Sequence, residues 1–221
     1  MKRARVGLAL GAVLAVGAVG AVLAVPAVAA QTVNVGVQGV FADYRELGPA
    51  LSYNGGGLGG MAELNWHKFS GDFQIAKINF NPSSGSSATD KFTSTQFDAH
   101  LRWFLASGIS LETGYTKRSI SPDFTTQNFT AIRAGMRANY SLGPGANLLL
   151  RGNYLAGAKF SGGGTAPFAL ELGLGITVGA TSGRWRITGD YEFQRIDRKT
   201  SVKVPIQQAL ARIGAAVGLG R

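Results

Sequence analysis

One parity of the alternating segments in this sequence carries nearly all the charge that could do chemistry. The acids are Glu63, Asp98, Glu112, Glu171, Asp190 and Glu192, and the bases are Arg102, Arg133, Arg137, Arg151, Arg186 and Arg212. Paired carboxylates can act as general acid and base, which requires shifted pKa values and a substrate cleft. Here every acid has an arginine to match it, and an unpaired buried charge is costly, so ion pairing is the chemistry this pattern favours. Registers counted from the turns make the pairing specific. Folding about Gly108 sets Arg102 opposite Glu112, and the next connection brings Arg133 to the other side of Glu112. Arg151, Glu171 and Glu192 fall level on neighbouring segments, with Arg137 beside Arg151. Two stacked ion networks in a narrow interior are expected, closing it rather than leaving a wide pore.

Other chemistries find less support. With Cys 0, disulfides, thiolate metal sites and cysteine nucleophiles are excluded. His67 and His100 fall on different segments at different depths, so neither a metal site nor a Ser-His-acid arrangement emerges. The glycine run at 55–60 precedes a strand pattern rather than a helix, unlike a phosphate-binding loop. No cofactor, metal or catalytic residue is implied.

These charges need elements with a period of two. In residues 94–118, Phe97, Ala99, Leu101, Trp103 and Leu105 alternate with Asp98, His100 and Arg102. After Ala106-Ser107-Gly108, Ile109, Leu111, Thr113 and Tyr115 alternate with Ser110, Glu112 and Gly114. Successive strand side chains point to opposite faces, so this hairpin is apolar on one side and charged on the other. A sandwich sheet fits that pattern, and so do two staves of a membrane barrel. Similar segments recur at 32–44, 58–68, 73–80 and 129–141, and then around Leu148–Tyr154, Phe168–Val178, Trp185–Phe193 and Ala209–Leu219. In the third, Phe73 and Ile75 lie on one parity but Ile78 and Phe80 on the other, as a β-bulge would cause.

The expected connections separate the two architectures. Long loops at 45–57, 81–93, 119–128, 157–166 and 195–204 alternate with short turns at 70–72, 106–108, 142–145 and 180–183, the wiring of barrels with brief turns on one side and longer loops on the other. Trp66, Trp103, Tyr140 and Trp185 cluster at the short-turn ends, and Tyr115, Phe129, Tyr154, Phe168 and Phe193 at the opposite ends. That gives two interfacial girdles, where amphipathic rings sit at headgroup depth. The expected fold is all-β: a transmembrane up-and-down antiparallel β-barrel of ten strands, with eight as the alternative.

Residues 1–30 stand apart. Lys2, Arg3 and Arg5 precede an apolar run from Gly7 to Val25, and Pro26-Ala27-Val28-Ala29-Ala30 offers small residues for cleavage before Gln31. This reads as a cleaved export signal, with an uncleaved anchor as the alternative, and leaves 31–221 as the barrel. Losing three of the 22 basic residues leaves 19 against 12 acids, a balance of +7. For an exported chain that points away from nucleic acid and toward anionic lipid or polysaccharide. The loops supply a basic rim: Arg45, Lys91, Lys117, Arg118, Lys159, Arg195, Arg198, Lys199 and Lys203, against Glu46, Asp90, Asp123 and Asp197.

The signal segment, the alternating strands, the girdles and a closing Val217-Gly218-Leu219-Gly220 together resemble the small outer-membrane β-barrels of the opacity-protein and porin-like families. Those families usually end on an aromatic residue, where this sequence has Arg221. The resemblance implies the outer membrane of a diderm bacterium, a lipid bilayer as partner, and a non-enzymatic role in envelope integrity or surface interaction. That interaction would run through the basic loops, with lipopolysaccharide or acidic polysaccharide as ligand. A narrow porin-like channel for small solutes is the second reading and an outer-membrane hydrolase the third.

Overall fold

The computed structural model describes residues 32–48, 50–122, 124–179 and 184–219. The leader over 1–30, Asp123, the 180–183 turn and the Gly220-Arg221 end lie outside the described residues. Ten strands follow one another: β1 (Thr32–Glu46), β2 (Leu51–Trp66), β3 (Phe69–Pro82), β4 (Phe92–Ala106), β5 (Ile109–Ser121), β6 (Phe129–Gly143), β7 (Ala146–Phe160), β8 (Thr165–Val178), β9 (Trp185–Lys199) and β10 (Lys203–Leu219). Each pairs antiparallel with its chain neighbours, and β1 pairs with β10 from Val33↔Leu219 to Glu46↔Ile206, so the barrel is closed. Closure satisfies every ladder and leaves no edge. A single 3-10 turn, Thr125–Gln127, lies between β5 and β6.

The alternation sends apolar side chains outward. Val37, Phe41, Leu58 and Ile213 are between 62% and 70% exposed, as lipid-facing groups are once the lipid is taken away. On β9 this outer face stays apolar from Trp185 to Phe193 and turns charged at Arg195. At about 3.3 Å per residue and a tilt of ~40° that band is roughly 20 Å tall, near the ~25 Å typical of outer-membrane barrels.

Several expected boundaries are corrected. Residues 45–57 are not a loop: β2 begins at Leu51 and pairs with β1 from Leu51↔Glu46 onward. The glycines there are strand residues packed against the next strand, where a Cβ on Gly57 would stand 1.9 Å from the Lys77 carbonyl oxygen. The turn between β2 and β3 is His67-Lys68 rather than 70–72, and Ser70 to Asp72 pair within the sheet. Strand β3 has no bulge, since both its ladders run without a register shift. Ile78 and Phe80 share the inward parity of Ser70 and Asp72, and it is the interior that changes from polar to apolar along this strand.

The alternation of connection lengths is only partly kept. The outer connections, 47–50, 83–91, 122–128, 161–164 and 200–202, are all shorter than expected because the strands run beyond the apolar band. The connection over 179–184 exceeds that over 200–202. Phe129 belongs to no girdle: it is 1% exposed and points inward.

Candidate functional site

The inward parity brings the charged side chains of all ten strands into one interior. At its centre Arg133, on β6, is fully buried, with Nη2 2.8 Å from Asp98 and 2.7 Å from Glu171. Its Nε donates to Glu171 at 2.8 Å, and Glu192 stands 3.6 Å away. Arg151 reaches Glu192 at 2.6 Å and Glu171 at 3.4 Å. Arg212 closes the cluster on Asp190 (2.8 Å), Glu192 (3.1 Å) and Asp98 (3.3 Å).

A second cluster lies toward the short turns. Arg102 pairs with Glu63 at 2.8 Å and Asp72 at 3.3 Å and donates to the Ser70 hydroxyl at 2.6 Å. Arg137 pairs with Glu112 at 2.5 Å and Asp72 at 3.3 Å, and Arg186 pairs with Glu63. Two further side chains join the clusters. Asn153 donates to Glu112 at 2.6 Å and Glu171 at 3.1 Å. His100 Nδ1 lies 2.9 Å from Glu112, and its Nε2 lies 3.3 Å from Arg133 Nη1. Arg133 is the donor in that second contact, so Nε2 accepts and Nδ1 carries the proton shared with Glu112. Each carboxylate thus faces guanidinium or amide donors, an arrangement that holds charge in place.

Two expected pairings are corrected here. Arg102 and Glu112 are Cα partners across the β4–β5 turn, but the guanidinium turns to Glu63 and Asp72. Arg133 is level with Gly114 rather than Glu112, and its partners come from β4, β8 and β9. Long side chains in a narrow barrel reach across the interior as readily as along the ladder. Asp72, read as part of a turn, is a full member of the second cluster.

The outer half of the interior is built mainly of aromatic and aliphatic side chains, with Glu46, Arg118 and Arg198 set among them. Tyr44, Tyr53, Phe80 and Phe92 are each at most 4% exposed and pack edge to face, tilted or stacked, with centroids between 4.7 and 6.3 Å apart. Phe124, from the β5–β6 connection, seats on Tyr53 and Phe92 at 5.8 and 5.5 Å. Between this layer and the ions lie the side-chain amides of Gln96 and Gln208, joined at 3.0 Å, with Gln96 donating to Asp98 at 2.9 Å.

The expected rim divides. Arg118 and Arg198 are not on it: they are 2% and 8% exposed, inside the barrel. Arg118 donates to Gln208 and lies over the rings of Tyr44 and Phe129 at 5.2 and 5.6 Å, with no carboxylate in ion-pair range among the described residues. Arg198 lies 4.7 Å over Phe160, donates to Gln127 at 2.7 Å, and donates to the Gly163 carbonyl. It thereby ties two outer connections together. Arg45, Lys91, Lys117, Lys159, Arg195, Lys199 and Lys203 are exposed. Arg45 pairs with Asp43, while Arg195 and Lys203 share Asp197. Lys77, absent from the expected rim, is also exposed, one outward position beyond Ile75.

At the other end Trp103, Tyr140 and Trp185 point outward, 47%, 54% and 61% exposed, and Trp66 stacks on Phe69 at 6.2 Å. The signal for Arg118 and Arg198 was available as parity. Counting on from Glu112 by twos reaches Arg118, and from Glu192 it reaches Arg198, both inward positions.

Neither a family model nor a curated protein sequence matches the chain. Among solved structures it is similar to the translocator domain of the autotransporter NalP from Neisseria meningitidis, at 11% identity over 96% of this chain and 97% of that one, with a TM-score of 0.50. Lesser likenesses are to Neisserial surface protein A, 13% identical over 84% and 96% with a TM-score of 0.40, and to the CymD monoaromatic hydrocarbon channel, 10% identical over 86% and 70% with a TM-score of 0.37. Such identities speak of fold alone. A closed ten-stranded antiparallel barrel, apolar outside and charged within, is the architecture of the small outer-membrane β-barrels, and this chain has that architecture.

Proposed function

We propose that the protein is a non-conducting, non-enzymatic barrel of the outer membrane of a diderm bacterium, serving envelope integrity or surface interaction through its basic outer rim. The observation that carries this is the filled interior. Arg133 and Glu171 at mid-height and Ile78 in the aromatic layer above are each 0% exposed, so side chains occupy the cross-section at two successive levels. In planar bilayers the pure protein is expected to stay silent in single-channel recordings. Discrete conductance steps would sink this reading and favour the narrow pore, for which the cavity at the short-turn end is the supporting feature.

The rim reading rests on placement. Lys117 and Lys159 are exposed at the outer edge of the apolar band and have no carboxylate partner among the described residues. That is where lysines reach for anionic headgroups. Lipopolysaccharide phosphates or acidic polysaccharide are the ligands whose charge fits. The Lys117→Glu, Lys159→Glu double variant is expected to bind lipopolysaccharide roughly tenfold more weakly, or ~0.7 kcal/mol for each reversed charge. The wild-type affinity should itself fall as ionic strength rises. Salt-independent binding measured on immobilised protein, unchanged in the variant, would remove the rim from the account.

A further inference from the structure

The short-turn end of the barrel opens into a half-enclosed cavity of about 450 Å³, within the size range of small-molecule sites. Three carboxylates line it, and each is shared by two arginines: Glu63 by Arg102 and Arg186, Asp72 by Arg102 and Arg137, and Asp190 by Arg151 and Arg212. A guanidinium carries five N–H donors and a carboxylate accepts at about four positions, so this ratio leaves donors over. Most of the surplus is taken up below the cavity, where Arg137 reaches Glu112, Arg151 reaches Glu192 and Glu171, and Arg212 reaches Glu192 and Asp98. Even so, Arg102 Nε, Arg137 Nη2 and Arg186 Nε find no acceptor among the described residues. Buried donors without acceptors are costly, and an added oxyanion is the group that relieves them.

The rest of the lining suits a polar ligand. Asn34, Asn65, Asn139, Asn147, Thr177 and Thr188 bring side-chain amides and hydroxyls from six strands. Beyond the cavity the way is closed by Asp98, Arg133 and Glu171, each at most 2% exposed. A ligand entering here is held rather than passed.

We propose that this cavity is a binding site for a small organic oxyanion bearing at least two negative charges, a polycarboxylate or a phosphate compound, which enters from the short-turn side. The site is separate from the rim and does not depend on the rim binding anything. The experiment uses the purified barrel in detergent micelles, titrated calorimetrically with citrate, with inorganic phosphate, and with glycerol as the neutral control.

Saturable binding of one citrate per barrel is expected, and salt weakens it. Arg186→Gln should weaken it about tenfold or more. Arg186 is a quarter exposed and has a single acid partner, so the variant should keep the folded barrel's gel mobility. Binding of citrate alone marks a carboxylate site and binding of phosphate alone a phosphate site, and either supports the proposal. Heats from both anions no larger than from glycerol overturn it. So does a folded Arg186→Gln barrel that binds citrate as tightly as the wild type.

Discussion

Arg133→Ala is expected to cost the barrel about 3–5 kcal/mol, because it strands buried carboxylates rather than merely removing a contact. Arg133 is 0% exposed and, among the described residues, is the one arginine shared by Asp98, Glu171 and Glu192. Without it Glu171 keeps Arg151 at 3.4 Å and the amides of Asn153 and Gln194, too little to balance a charge removed from water. His100 loses the donor at its Nε2 as well. The measurement is the temperature at which the folded barrel loses its compact gel mobility, or its strand circular dichroism, in detergent. Arg118→Met is the contrast. Arg118 is equally deep but has no carboxylate in ion-pair range among the described residues, so its removal forfeits only ring contacts and the bond to Gln208. A loss of about 1–2 kcal/mol is expected there. Equal losses in the two variants would mean that the ion cluster is not what the barrel depends on.

Gly57→Val is expected to prevent closure altogether. A Cβ at Gly57 would lie 1.9 Å from the Lys77 carbonyl oxygen, 2.8 Å from its carbonyl carbon and 2.9 Å from the Ile78 Cα. All three are backbone atoms of the neighbouring strand, which cannot move aside without breaking the β2–β3 ladder. The adjacent Gly56 points outward, and its Cβ would meet nothing nearer than the Val40 carbonyl oxygen at 3.8 Å. Gly56→Val should therefore assemble as the wild type does. The readout is the fraction of refolded protein that runs as a compact barrel on an unheated gel. Efficient assembly of Gly57→Val would show that the β2–β3 seam can open to take a side chain, against the tight approach seen at Gly57.

The faces of this fold were legible in the sequence, but its lengths and contacts were less so. Alternation around Phe97 to Tyr115 names the outward and inward positions of the β4–β5 hairpin without ambiguity, because a period of two leaves no third face. Loop chemistry misled at residues 45–57, where glycine stands for a close approach between strands rather than a turn. Charge misled at Arg118 and Arg198, where basic character suggested solvent although parity placed both inside. Side-chain partners were hardest. A ladder register fixes which Cα atoms are level, as with Arg102 and Glu112, but a guanidinium on a long stem chooses among every carboxylate within reach across the interior. The apolar outer layer was hidden for the same kind of reason: Ile78 and Phe80 look misplaced on β3 until the other inward aromatics that meet them are known.

The pairing of β1 with β10 sets the order in which this molecule can come into being. Val33 bonds across to Leu219, so the contacts that complete the cylinder join the segments most widely separated along the chain. Their entropy cost falls on the final step, when nine ladders can already exist but two rows of amides and carbonyls still face the surroundings. In an apolar medium such open margins are untenable. Assembly therefore has no useful halfway product: a sheet missing either outermost stave is a sticky intermediate, and only the finished ring is a resting state.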